Sequence, residues 1–282
     1  MTALPDLSAL INRQTRGNNG NPDNLFFHKV SRVAGAAAPA PVAGRGASLW
    51  TYDGMPGGGD APGAAAIPTR VTQGAFPFTP PGGLRDKWLI SAGIASQVAG
   101  TFFLYDRLFH ISGLSGVLTT DQTVQGATPT PALTRNTGGA GNFAFYEIYT
   151  ALGTTATTLT MTYTDQDGNI GQTATIPIGG TGNREATRMQ RIPAAAGDSG
   201  LRAVDRVRLT ASTGTAGNFG VTIGQFLAFL PVGAAGVGGW RDYTTGLPGI
   251  PMIDPNACLA LLFIPNAATA PELQGMLGMV EN

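Results

Sequence analysis

The chain has 282 residues, with 17 basic and 17 acidic side chains that cancel to a formal net charge of zero. That balance excludes the basic field of a typical nucleic-acid binder, and a single cysteine excludes a disulfide scaffold. No run approaches the ~20 apolar residues of a membrane span. Charged residues are 12% of the chain, against about 25% in ordinary soluble domains. Lys29 and Lys87 are the only lysines; the other basic residues, two histidines aside, are arginines. Interfaces are depleted in Lys and Glu and enriched in Arg and aromatics, so this composition fits a surface resting against other subunits. It fits a Thr- and Asn-faced β protein equally well. The N-terminus lacks a basic stretch followed by an apolar core, which predicts synthesis and first folding in a cytoplasm.

Taken in order, residues 4–16 predict a short helix opening at Pro5-Asp6, with Leu7, Leu10 and Ile11 on one face. Asn18-Asn19-Gly20-Asn21-Pro22 ends it. Residues 25–33 form a short strand-like piece whose aromatics, Phe26 and Phe27, look exposed. Residues 34–83 are rich in Ala, Pro and Gly, yet Trp50, Tyr52, Phe76 and Phe78 interrupt them. A disordered tract would lack such anchors. Residues 1–83 are therefore expected to be an extended arm, pinned by aromatics to its own body or to a neighbour. Its candidate interface residues are Leu7, Leu10, Ile11, Phe26, Phe27, Trp50 and Tyr52.

From residue 84 the texture changes to strands, and 84–282 is expected to be one β-sandwich domain. Segments 87–94 and 100–104 read as strands, with 114–120 a further candidate and 143–151 suited to a central strand. Thr158, Thr160, Thr162 and Thr164 alternate with Leu159, Met161 and Tyr163, a period of two with one polar and one apolar face. Residues 165–169, DQDGN, supply a turn and 172–178 return, which makes a hairpin. Residues 133–143, LTRNTGGAGNF, recur as 209–219, LTASTGTAGNF. Two copies are too few for a solenoid and suggest two equivalent corners of one sandwich. Residues 179–200 read as a polar loop carrying Arg184, Arg188 and Arg191. Strands are expected at 203–209 and 221–231, and the apolar run 257–264 must be buried. Residues 272–280 place Leu273, Met276 and Leu277 at helical spacing and predict a short terminal helix. No helix is long enough to cover a sheet, so the expected fold is mainly β: an antiparallel sandwich of jelly-roll type with an extended N-terminal arm and short terminal helices.

Few residues suggest chemistry. Gly197-Asp198-Ser199-Gly200 resembles the nucleophile setting of chymotrypsin-like proteases, but Leu201 stands where that family has a further glycine. Only His28 and His110 could serve as base. Asp165–Asn169 resembles the start of a calcium loop, yet the twelfth position is Ile176 rather than Glu; a hairpin turn is the simpler reading. His110 is expected to be structural and Cys258 a buried inert thiol. Trp240 and Tyr243 could stack on sugar rings or fill a core edge. No catalytic, cofactor or metal site is expected, and no enzyme.

Residues 104–116, LYDRLFHISGLSG, with 145–153, FYEIYTALG, and the Thr-rich hairpin, resemble structural proteins of tailed-bacteriophage virions, of the capsid-decoration (cement) or head-associated kind. The similarity spans about 84–280. It implies a symmetric homo-oligomer, commonly a trimer, that clamps the major capsid protein and resides in the virion, with no nucleic-acid or membrane partner. The alternatives are a tail, baseplate or head-fibre component, or a carbohydrate-binding receptor-recognition sandwich.

Overall fold

In the computed structural model the hairpin is as the alternation requires. Strands at Thr157–Asp165 and Gln172–Ile178 pair antiparallel, with Thr160 opposite Thr175 and Met161 opposite Ala174. Leu159, Met161 and Tyr163 point into a core while Thr158, Thr160 and Thr164 stay partly open to water. The Asp165 carboxylate closes the turn by accepting from the amides of Asp167 and Asn169 and from the Asn169 side chain, an Asx-type turn.

The structure describes Ser8 and residues 23–83, 85–244 and 249–281; the helix predicted over 4–16, with Leu7, Leu10 and Ile11, lies outside them apart from Ser8. Every named element among the described residues is a strand. In chain order they are β1 (Asp23–Val33), β2 (Ala36–Ala37), β3 (Ala47–Ser48), β4 (Tyr52–Met55), β5 (Lys87–Ser96), β6 (Gly100–Leu114), β7 (Gln122–Thr123), β8 (Asn142–Thr150) and β9 (Thr157–Asp165). They continue as β10 (Gln172–Ile178), β11 (Met189–Arg191), β12 (Leu201–Leu209), β13 (Asn218–Val232), β14 (Gly239–Asp242), β15 (Met252–Ile253), β16 (Leu259–Pro265) and β17 (Leu273–Glu281).

Among the described residues these strands form three antiparallel sheets. The seven-stranded sheet runs β14-β5-β17-β1-β2, with β15 beside β5 and β4 beside β1; the others are β10-β9-β12-β7 and β11-β8-β13-β6-β16-β3. The long strands β6 and β13 serve two cores. Phe102, Leu104, Leu230, Leu261 and Phe263 pack on the seven-stranded sheet, while Leu108, Phe109, Tyr146, Val221 and Ile223 pack on the four-stranded one. Register shifts at Ile223/Gly224 and Phe226/Ala228 lie between the two halves, where bulges bend and twist a pair of strands. The chain is thus a mainly-β sandwich, but its three sheets exceed the two-sheet, eight-strand plan of the expected jelly roll.

The two similar segments are equivalent corners. Each carries the chain from the four-stranded to the six-stranded sheet, the first between β7 and β8, the second between β12 and β13. Gly141 and Gly217, at matching positions, both take positive φ (75° and 52°) just before the new strand, a conformation that favours glycine.

Three expectations are corrected. The terminal helix predicted over 272–280 is strand β17, which fills the place between β5 and β1; its two glycines would each cost about 1 kcal/mol in a helix. Residues 114–120 form no strand beyond Leu114, where β6 ends. Residues 23–83 are not a separable arm. β1 pairs with both β17 and β4, β3 pairs with β16, and Trp50, Tyr52, Phe76 and Phe78 are buried. The aromatics pin this segment to its own body, so a boundary at 83/84 divides nothing.

Candidate interaction surfaces

Trp50 shows what the pinned segment covers. Its ring lies over the Arg107 guanidinium at 4.6 Å and meets His110 edge-on at 5.8 Å. Arg107 donates to Glu147 (2.6 Å), the Tyr149 hydroxyl (2.7 Å), the Tyr105 hydroxyl (3.1 Å) and His110 Nδ1 (3.0 Å). Thr222 and Tyr149 also donate to Glu147 Oε2. Burial pushes the Glu147 carboxyl up, but the Arg107 charge together with hydrogen bonds from Arg107, Ser48 and Thr222 outweighs it and holds the group below the usual range. Burial, reinforced by Arg107, pulls His110 down to about 3. Beside this cluster, Arg135 grips Asp106 through two bonds of 2.9 Å, and Asp106 also accepts from the Cys258 amide. Burial pushes the Cys258 thiol up to about 12. These charges are enclosed and mutually bonded, an arrangement that clamps strands together.

The residues that suggested chemistry are engaged elsewhere. His110 belongs to the cluster and His28 sits in β1, while the Ser199 amide donates to Gln166 Oε1. The Asp165 loop spends its carboxylate on its own turn. Among the described residues no group of three or more His, Cys, Asp or Glu side chains is placed to hold a metal, and no helix is long and apolar enough to cross a membrane. Of the interface candidates, Phe27, Trp50 and Tyr52 are core residues. Phe26 alone of the described ones is exposed, at 65%, because β1 alternates and its neighbour takes the inward position.

Two surfaces stand out instead. The first is a groove of about 1020 Å³ on the outer face of the seven-stranded sheet. Register lines up Trp240, Gly93, Met276 and Phe26 across four strands, and Ala95, Gln274, His28 and Met55 in the next outward row. Trp240 packs against β5, where a Cβ on Gly93 would come within 2.1 Å of its ring. It is nonetheless 55% exposed, and Met55 is 58% exposed. Tyr243, the other aromatic considered for sugar stacking, is buried.

The second surface is an aromatic stripe on the six-stranded sheet. Phe103, Phe143 and Phe226 are half-buried and in mutual contact at 4.9 and 5.5 Å; Phe229, opposite Phe103, is exposed. Arginines cap both ends: Arg191 stacks on Phe143 at 3.8 Å and Arg241 on Phe229 at 4.2 Å. The sequence carried a partial signal for this stripe, since residues 221–231 are apolar at both parities; the register shift between Phe226 and Ala228 brings Phe226 and Phe229, of opposite parity, to the same face beside Phe103.

Both lysines are buried. Lys29 donates to the carbonyls of Tyr52 (3.0 Å) and Pro56 (2.8 Å), and Lys87 pairs with Asp23 at 2.7 Å. No lysine reaches the surface. No family model, curated protein or solved structure matches the chain.

Proposed function

We propose that this chain is a structural subunit of a tailed-phage virion that decorates and stabilises the capsid through protein contacts. The observation that carries this reading is a lysine-free surface on which arginines stack on outward-facing phenylalanines. Aromatic and Arg enrichment with Lys depletion marks surfaces that work in contact with other proteins. The segments that resemble virion proteins lie in β6, in β8 and in the β9–β10 hairpin, so the likeness lies in the framework rather than in the aromatic stripe. On this reading the major capsid protein covers the aromatic stripe, copies of the chain assemble as a homo-oligomer, commonly a trimer, and multivalent attachment multiplies modest individual contacts.

Particles purified from a host producing the chain should contain it at a copy number comparable to the shell protein, measured by quantitative mass spectrometry. Recovery only in the particle-free fraction overturns the reading. A copy number confined to one vertex or to the tail tip, seen by cryo-electron microscopy, moves the protein to the tail, baseplate or head fibre. Within decorated particles, Phe229→Asp should lower occupancy by at least about 30-fold in apparent affinity, the effect of losing ~2 kcal/mol at a contact hot spot.

Trp240 favours a second reading, a carbohydrate-binding sandwich, because an indole open to solvent beside a groove offers a surface on which a sugar ring can stack. Specific signals on a glycan array, abolished by Trp240→Ala, would establish it.

A further inference from the structure

The aromatic stripe on the six-stranded sheet is charged at its ends and apolar between them. Phe143, Phe226 and Phe103 follow one another at 5.5 and 4.9 Å, and Phe229 stands opposite Phe103 with 49% of its surface open. The Arg191 guanidinium lies 3.8 Å from the centre of the Phe143 ring, and that of Arg241 lies 4.2 Å from the Phe229 ring. We propose that this stripe receives an extended segment of a partner protein in which two carboxylates, about 15–20 Å apart, flank apolar side chains that face the rings. It rests on the reading that another protein covers the stripe, and names the chemistry that protein presents.

Three features select this partner. The first is unanswered charge. Among the described residues no carboxylate forms an ion pair with Arg191 or Arg241. Burial lowers the Arg191 guanidinium with no neighbouring charge to offset it. Arg241 spends Nε on the Phe229 carbonyl at 3.3 Å, and the next residue, Asp242, accepts from the Thr244 amide and hydroxyl instead. Beyond Arg191 the excess grows. Arg45 donates to the Gly182 carbonyl, and Arg184 and Arg188 lie on the loop before β11, where Glu185 is the one carboxylate of residues 179–191. An arginine already stacked on a ring offers its fork to a carboxylate with less ordering left to do. The second feature is shape. The rings are tilted by 41° and 42° to one another, and the end rings already carry guanidinium groups. They present edges for aliphatic contact rather than open faces for stacked bases, and a net charge of zero also disfavours a nucleic acid. The third is length. The stripe runs roughly 15 Å from Phe143 to Phe229, with ~5 Å between opposed residues on neighbouring strands. An extended chain rises ~3.4 Å per residue and turns alternate side chains to one side. A carboxylate, two apolar residues and a second carboxylate at every other position therefore span ~20 Å, which puts the acidic ends at or just past the two arginines.

The test uses the full chain and a synthetic peptide with Glu at both ends, Leu at the third and fifth positions and Thr between them. Binding is followed through the amide chemical shifts of the isotope-labelled chain. The expected result is saturable binding that moves the amides around the stripe, at least about tenfold weaker for the same peptide ended in Lys. Arg191→Glu with Arg241→Glu should reverse that preference. Arg191→Gln with Arg241→Gln should erase it, and decides the point if the reversed pair fails to fold. Equal affinity for the two peptides, a preference unchanged by the substitutions, or binding away from the stripe overturns the proposal. So does a failure of the Glu-ended peptide to saturate by about 5 mM, or tighter binding of a thymidine oligonucleotide. The virion reading stands or falls separately, on recovery of the chain with particles, and absence from particles leaves the peptide result to decide the chemistry of the stripe.

Discussion

Removing the charge of Glu147 leaves the Arg107 guanidinium buried with only hydroxyls and an imidazole around it. Breaking a buried ion pair from one side costs about 3–5 kcal/mol, so Glu147→Gln should lower stability by that amount in urea unfolding at neutral pH. His110 gives the same cluster a pH dependence. Its folded value of about 3 lies below the unfolded 6.5, so between those pH values the unfolded chain binds the extra proton. Stability is therefore complete above 6.5 and falls by about 1.4 kcal/mol per pH unit as acid is added. Arg107, Glu147 and Trp50 are the groups that face it. Urea midpoints between about pH 7 and pH 5 should show this slope, and His110→Asn should flatten it. The lysines teach a related lesson at the same scale. Their scarcity is visible in composition, but their burial against carbonyls and Asp23 is what empties the surface of lysine.

At the level of elements, β5 and β14 meet where Gly93 makes room for Trp240. Gly93→Ala puts a methyl within 2.1 Å of the ring, and the exposed indole must move away. The expected outcome is a more quenchable Trp240 with a stability loss of ~1–3 kcal/mol, the usual range for overpacking. Leu261→Ala tests the opposite defect in β16, a cavity in the core between the seven- and six-stranded sheets, and should cost ~2–5 kcal/mol. β17 shows why local spacing misleads. Leu273, Met276 and Leu277 fit a helical stripe, but the same residues satisfy alternation, with Leu273 and Leu277 inward and Gln274 and Met276 outward. Open hydrogen-bonding edges on β5 and β1 decide between the two.

For the whole molecule, the distribution of the N-terminal residues matters most. Deleting 2–33, a natural choice if 1–83 were an arm, removes β1, which leaves β4 without its partner and β17 paired on one side only. That variant should lose cooperative unfolding. Deletion of 2–22 spares every described strand and should keep a β-type circular dichroism spectrum and a cooperative urea transition. Loss of the cooperative transition in the shorter deletion as well would overturn this distinction between the two variants. The two long strands that join both cores predict one unfolding transition for the chain, since neither core keeps its walls without β6 and β13.

Read alone, the sequence determined the β class, the Thr-faced hairpin, the two matched corners and the burial of Cys258 and of residues 257–264. Each is a local matter of period, turn chemistry or apolar run length. Only the tertiary structure decided that Trp50 and Tyr52 face inward, that 272–280 is a strand, and that Phe26, Met276 and Trp240 share one open face. Those outcomes depend on which strand lies beside which, a pairing between residues up to some 250 positions apart, and no local pattern in a chain carries that information.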